Sequence, residues 1–167
     1  GIGNLKSVHN AVSYIAPKIP SAVSSDPDFI KKADKVIFPG QGAMPDCIKE
    51  LDKRGLRDVV IESAKKKPFL GICLGLQLLF EKSEEGDVEG FGIFEGKIKK
   101  FQPSKQERIK IPHMGWNKVQ QSKNHPMWNN INSGSSFYFV HSFYASDVKK
   151  EYVTGTTNHG EEFTCAI

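Results

Sequence analysis

Two short apolar runs, each followed by a stretch of helical periodicity, constrain this chain's fold more than any other feature. Val36-Ile37-Phe38 is closed by Pro39-Gly40, and Phe69-Leu70-Gly71-Ile72 follows Pro68 and runs into Cys73. Runs this short and apolar, bounded by turn residues, read as buried strands. Around them apolar residues recur three and four apart: Leu5, Val8, Ala11, Val12 and Ile15; Cys47, Ile48 and Leu51 ahead of Gly55; then Leu56, Val59, Val60 and Ala64. A further helix is expected from Leu74 to Phe80, with Leu74, Leu78 and Leu79 on related faces. Asn4 stands where an N-cap belongs, and Gly1-Ile2-Gly3 reads as the loop entering the first helix. Strands alternating with helices predict an α/β fold, mainly a parallel sheet flanked by helices.

The second half has a different texture. Lys97 to Phe101, Asn117 to Val119, Phe137 to Val140, Tyr152 to Thr156 and Phe163 to Ile167 are short strand candidates separated by Gly, Pro and Asn. They predict additional, largely antiparallel strands.

The 167 residues fit one domain with a core that needs no staples. Twenty of the 23 basic residues are Lys and three are Arg. No clustered Arg with interleaved aromatics occurs, so nucleic acid is not an expected partner. No apolar run approaches the roughly 18 residues of a membrane span, and no signal peptide is visible. Three cysteines, an odd and sparse count, suit a reducing cytoplasm rather than a disulfide framework. No CxxC or Cys/His ligand spacing occurs, so a structural zinc or other metal site is not expected. The chain begins at Gly1 and stops at Ile167 inside an expected strand, so it reads as a piece of a longer protein.

The sharpest chemical feature is Gly71-Ile72-Cys73-Leu74-Gly75, between a strand and a helix. A nucleophile on so tight a turn needs small flanking residues. Its side chain is presented at the carboxyl end of the sheet, and the backbone N–H groups that follow it can stabilise a tetrahedral oxyanion. The helix dipole is expected to favour the thiolate. Cys47 and Cys165 read instead as core residues. The Gly-containing loop Phe38-Pro39-Gly40-Gln41-Gly42-Ala43 also follows a strand. It lacks the Lys-Ser/Thr of a phosphate loop, but it can supply a second oxyanion donor. Of His9, His113, His125, His141 and His159, His141 ends an apolar strand and is the best local candidate for a site residue. The Trp and Met of Pro112-His113-Met114-Gly115-Trp116-Asn117 suit a binding or partner surface, and a packed loop is the alternative.

Pro39-Gly40-Gln41-Gly42 together with Gly71-Ile72-Cys73-Leu74-Gly75-Leu76-Gln77-Leu78-Leu79 resembles the class I glutamine amidotransferases. Adding Gly1-Ile2-Gly3-Asn4-Leu5, the 112–117 cluster and Tyr138-Phe139-Val140-His141-Ser142 narrows the resemblance to the glutaminase subunits of imidazole glycerol phosphate synthase. The match runs in order over essentially the whole chain. It implies hydrolysis of glutamine to glutamate and ammonia through a Cys73 thioester, without a cofactor. The ammonia would pass to a (β/α)₈-barrel cyclase subunit in histidine biosynthesis. It further implies an oxyanion hole of Gln41, Gly42 and Leu74, and substrate contacts from Gly40, Gln77, Glu85, His141 and Ser142. Glu81 and Glu84 are alternatives to Glu85. Asn4, Met114, Trp116 and Asn117 would face the partner.

Residues 1–167 then form one amidotransferase domain without the family's first strand and its C-terminal catalytic segment. The family's base is a His-x-Glu pair near its C-terminus. His159-Gly160-Glu161 has the spacing but not the Pro or the strand context, so it is not assigned the role. Phe143 stands where the family usually carries Tyr. The 167 residues alone are expected to be nearly inactive. The alternative reading is a non-catalytic partner-binding piece without the base pair.

Overall fold

A computed structural model describes residues 4–102 and 109–167, so the Gly1-Ile2-Gly3 loop lies outside the described residues. The chain divides into two compact units. One holds residues up to Leu79 together with Gly90–Ile93; the other holds Phe80–Glu89 and Phe94–Ile167.

The first unit runs α1 (Leu5–Ile15), α2 (Pro27–Lys32), β1 (Val36–Gly40), α3 (Met44–Lys53), α4 (Arg57–Lys66), β2 (Phe69–Cys73) and α5 (Leu74–Gln77). Asn4 caps α1 as expected, its side chain accepting from Ser7 N–H at 3.2 Å. β1 and β2 pair in parallel, with Val36 opposite Phe69 and Gly40 opposite Cys73. Met44, Cys47 and Leu51 of α3 and Val59 and Val60 of α4 form the buried core with Leu74, Leu78 and Leu79. The apolar stripe of α1 (Leu5, Val8, Val12) lines a cavity of about 840 Å³ together with Val36, Ile37 and Phe38 of β1.

α2 escapes the periodicity reading because it is only six residues long. Its N-terminus is nevertheless written in the sequence: Asp26 caps it and Pro27 opens it. At its other end Lys67 inserts its ammonium among the carbonyls of Ile30 (3.2 Å), Lys31 (2.5 Å) and Ala33 (2.8 Å). A cation there satisfies carbonyls that the helix itself cannot.

The second unit carries β3 (Phe80–Ser83), β4 (Val88–Glu89), β5 (Phe94–Lys100), β6 (His113–Lys118), β7 (Gln120–Gln121), β8 (Ser136–His141), β9 (Phe143–Ser146), β10 (Gly155–His159) and β11 (Glu161–Ala166). Seven form one sheet in the order β4-β3-β5-β9-β11-β10-β7, in which only β3 and β5 are parallel. β6 and β8 form a separate antiparallel ribbon. Phe80, Ile98, Phe101 and Phe163 are buried, as is Trp128, whose indole donates to the Thr154 carbonyl at 3.1 Å.

Three expectations change. The helix expected to reach Phe80 ends at Gln77, because the carbonyls of Leu78 and Leu79 accept from Phe91 and Ile93 N–H instead of continuing the helix. Tyr152 and Val153 lie in a turn, their N–H groups bound to Lys149 and Lys150 carbonyls, so that strand starts only at Gly155. The 112–117 cluster is a strand from His113, not a loop.

Candidate active site

In the first unit, Cys73 ends β2 and starts α5 with φ 56° and ψ −120°. A non-glycine residue held there costs of order 1–3 kcal/mol and persists only where packing over-determines it. The packing is visible. Leu74 and Gly75 are buried while Cys73 is exposed. A Cβ on Gly40 would lie 2.9 Å from both Gly75 N and Leu74 Cβ, and one on Gly75 would overlap the Phe38 carbonyl oxygen. The end of β1 and the turn at Cys73 are therefore packed backbone to backbone. Gln41 and Gly42 continue outward from Gly40 as exposed residues. The structure thus gathers Gly40, Gln41, Gly42, Cys73 and Leu74 at the carboxyl ends of one parallel strand pair, and Gln77 ends the same helical turn, half-buried.

One expectation is weakened. α5 is a single turn of four residues, so a helix macrodipole contributes little to the thiolate. What remains is its first-turn N–H groups, which carry no side-chain cap.

The other two thiols are unlike Cys73. Burial pushes Cys47 up to about 11 and Cys165 up to about 12. Cys165 packs against the buried cluster of Val119, Trp128 and Ala166. Both hold the core role expected of them.

In the second unit, the three acidic candidates separate by what they bind. Glu81 accepts from Gly96 N–H (3.1 Å) and Glu84 from Lys100 N–H (2.9 Å), so both carboxylates tie down β5. Glu85 is half-buried at the turn after β3, its own N–H donated to Ser83 Oγ at 3.0 Å. His141 ends β8 with both ring nitrogens engaged. Nδ1 donates to the Phe143 carbonyl at 2.8 Å, and Nε2 meets His113 Nδ1 at 2.9 Å. Neither ring nitrogen of the His141 imidazole is therefore left unengaged.

Met114 and Trp116 project from the exposed face of β6, 61% and 73% accessible, beside Tyr138 and Val140 of β8. Asn117 does not share that face. Its amide points the other way, to His113 Nε2 (3.2 Å) and the Asn158 carbonyl (2.7 Å). In the sequence His113 stands only as one of five histidines and as a member of the 112–117 cluster. Its spacing of four from Asn117 becomes informative only once the segment is known to be a strand, where both share a face.

The remaining histidines hold structural positions. His9 bonds the Ser21 carbonyl, His159 the Lys110 carbonyl, and His125 caps a short 3₁₀ turn by accepting from Met127 N–H.

Burial lowers the basicity of both paired rings, His113 to about 4 and His141 in the same direction. The unfolded chain therefore takes up protons near pH 6.5 that the native state refuses. Stability from this pair is complete above pH 6.5 and is lost as pH falls toward 4. Urea midpoints are expected to drop between about pH 7 and about pH 5. The direct check is the native His113 resonance, and a midpoint near 6.5 would overturn the expectation.

The glutamine amidotransferase class-I family profile matches residues 10–167. The chain is 50% identical, over all of its length and 81% of the relative's, to imidazole glycerol phosphate synthase subunit HisH of Nitrosomonas europaea. It is 45% identical to the subunit of the same name from Neisseria meningitidis, covering 82% of that protein. A solved structure described as a glutamine amidotransferase matches 99% of this chain and 86% of its own, with a TM-score of 0.66 at 11% identity, which speaks to the fold alone.

Proposed function

Because the chain belongs to the class-I glutamine amidotransferase family, and within it to the imidazole glycerol phosphate synthase HisH subunits, we propose that it hydrolyses glutamine to supply ammonia for histidine biosynthesis. The observation that carries this reading is the exposed Cys73 on a strained turn, with the end of β1 packed against the residues that follow it.

In this reading the Cys73 thiolate attacks the side-chain amide carbon of glutamine. Negative charge develops on the amide oxygen and is met by Leu74 N–H and the Gln41–Gly42 loop. The amide nitrogen takes a proton from the general acid and leaves as ammonia when the intermediate collapses, giving a glutamyl thioester. Water then hydrolyses the thioester to glutamate and regenerates the thiol. By resemblance to the family alone, Gly40 and Gln77 are assigned to the amino-acid head group, as are Glu85 and the main chain at His141 and Ser142. The resemblance gives the acid–base role to a His-x-Glu pair, and none of the five histidines here is assigned it.

A glutamine-analogue diazoketone tests the reading in the intact protein. Peptide mass analysis is expected to find the adduct on Cys73 and on neither Cys47 nor Cys165. At about pH 8 a thiol with a pKa near 11 is only about one part in a thousand thiolate, which leaves the buried pair inert. An adduct distributed over all three, or one that glutamine does not compete away, would sink the proposal.

The ammonia acceptor is assigned to a barrel-shaped cyclase subunit docking on the β6–β8 ribbon. Met114, Trp116, Tyr138 and Val140 make one apolar exposed face there, with Trp116 and Tyr138 edge to face at 5.6 Å. Anchors of this kind carry much of an interface's energy. Trp116→Ala is expected to weaken association by about 2 kcal/mol, roughly thirtyfold in Kd by calorimetry. A Kd within about threefold of the parent would move the interface elsewhere. No described helix is long and apolar enough to cross a membrane, and three cysteines that form no disulfide suit the cytoplasm we assign.

A further inference from the structure

The second unit contains a side-chain chain that the catalytic reading does not use. β6 and β8 set His113 opposite His141, and main-chain groups dictate where the protons between them lie. His141 Nδ1 faces the Phe143 carbonyl at 2.8 Å. A carbonyl only accepts, so Nδ1 carries the proton, and Nε2 of the neutral ring is an acceptor. His113 must then donate from Nδ1 across 2.9 Å, which makes its own Nε2 an acceptor for Asn117 Nδ2 at 3.2 Å. The Asn117 amide cannot be turned around. Its Nδ2 also donates to the Asn158 carbonyl at 2.7 Å, and its Oδ1 accepts from Lys118 N–H at 2.8 Å. The chain therefore runs one way, from Asn117 through His113 and His141 to the Phe143 carbonyl, and backbone groups pin both ends.

The surroundings reinforce the neutral state. His113 is stacked between His159 (centroids 4.2 Å apart) and Phe139 (4.7 Å), while Phe101 and Phe163 close around His141 at 5.2 and 5.4 Å. Among the described residues, the titratable group bearing on both rings is His159 on β10, which is itself bonded to the Lys110 carbonyl. Glu161 of β11 is engaged by the Tyr144 hydroxyl of β9 at 2.8 Å. An added proton on either paired ring sets donor against donor, in a cage of aromatic faces where a mismatched polar group is costly.

We propose that His113 and Asn117 are positioning residues that hold His141 as a single neutral Nδ1–H tautomer and so fix the Ser142 main chain, which lies between His141 and the carbonyl it grips. The consequence for catalysis rests on the reading above, in which this strand end contacts glutamine. The imidazoles transfer no proton in the reaction; they set the position of the backbone the substrate meets. Losing the chain should loosen substrate binding and leave the chemical step at Cys73 largely alone.

Histidine-selective ¹⁵N NMR on the intact protein reads the chain without reference to activity. Both His113 and His141 are expected to show a protonated Nδ1 and a bare Nε2 at neutral pH. A His141 protonated at Nε2, or a mixture of tautomers, overturns the proposal whether or not glutamine is hydrolysed. Two variants then test the positioning role. His113→Asn keeps a donor where Nδ1 stands, and His113→Leu removes it. His113→Leu is expected to raise the glutamine KM about tenfold with kcat within about threefold, and His113→Asn to stay near the parent. Equal behaviour of the two variants overturns the proposal, as does a loss confined to kcat. If His113→Leu fails to fold, the parent tautomers and the His113→Asn kinetics still decide. If the parent has its tautomers but no glutaminase activity, the functional reading fails and the hydrogen-bond chain stands.

Discussion

Cys73→Ala is expected to abolish glutamine-dependent turnover in the intact synthase while leaving turnover with added ammonium salts near the parent level. Removing a nucleophile that forms the covalent intermediate costs about four to six orders of magnitude in comparable enzymes, or about 5–8 kcal/mol of barrier. The ammonium arm separates lost chemistry from lost assembly, because supplied ammonia bypasses the thioester but still needs a folded complex. A companion substitution reads the strain. Cys73 sits at φ 56° and ψ −120°, where glycine is at ease and alanine is not. Glycine gives back about 0.5–1 kcal/mol through the greater freedom of its unfolded chain, against strain of about 1–3 kcal/mol relieved. Cys73→Gly should therefore be equally dead and about 1 kcal/mol more stable than Cys73→Ala. Retained glutamine-dependent turnover in either variant would remove Cys73 from the mechanism. Equal urea midpoints would mean the turn holds no strain.

The strand–turn–helix at Cys73 was legible because local chemistry wrote it: an apolar run, two small residues at the flanks and a helical start. The parallel pairing of β1 with β2 followed from alternation alone. β6 was legible only at its end, Asn117–Lys118, and its earlier residues explain why. On an ordinary half-buried strand, apolar side chains face inward and polar ones outward. In β6 the inward positions are His113, Gly115 and Asn117, and the outward ones are Met114 and Trp116. The pattern is inverted, since the inward face is a hydrogen-bonded polar network and the outward face is apolar and exposed. An inverted strand looks like a loop to any reading that equates apolar with buried. The partnership of His113 with His141 was hidden for a second reason. It spans 28 residues and depends on ribbon register, which no local pattern reports. The overextended helix after Cys73 failed similarly: Leu78 and Leu79 fit a helical stripe, yet their carbonyls are claimed by Phe91 and Ile93, a pairing set by tertiary context.

Gly75→Ala puts two opposing rules against each other at one atom. Gly75 lies in α5, where alanine is normally favoured over glycine by about 1 kcal/mol. Helix propensity alone therefore predicts stabilisation. The new Cβ, however, would overlap the Phe38 carbonyl oxygen of β1 and lie 3.2 Å from the Phe38 ring. The oxygen belongs to a strand already paired with β2, so it cannot swing aside as a flexible side chain would. Either α5 lifts from β1 or the strand pair shifts, at a cost of about 3–5 kcal/mol, the range of severe core disruptions. Sterics outweigh propensity severalfold, and the net expectation is a large fall in the urea midpoint. Gly42→Ala is the calibrating case. Nothing lies within 4 Å of its added Cβ, so only its φ of +86° is penalised, for about 1 kcal/mol. The order of loss should be Gly75→Ala well beyond Gly42→Ala. A Gly75→Ala midpoint at or above the parent would mean that β1 and the Cys73 turn do not touch as described. The oxyanion assignment of the Gln41–Gly42 loop would then lose part of its geometric basis, because the Gly40–Gly75 approach, together with the pairing of Gly40 with Cys73, is what brings that loop to the nucleophile.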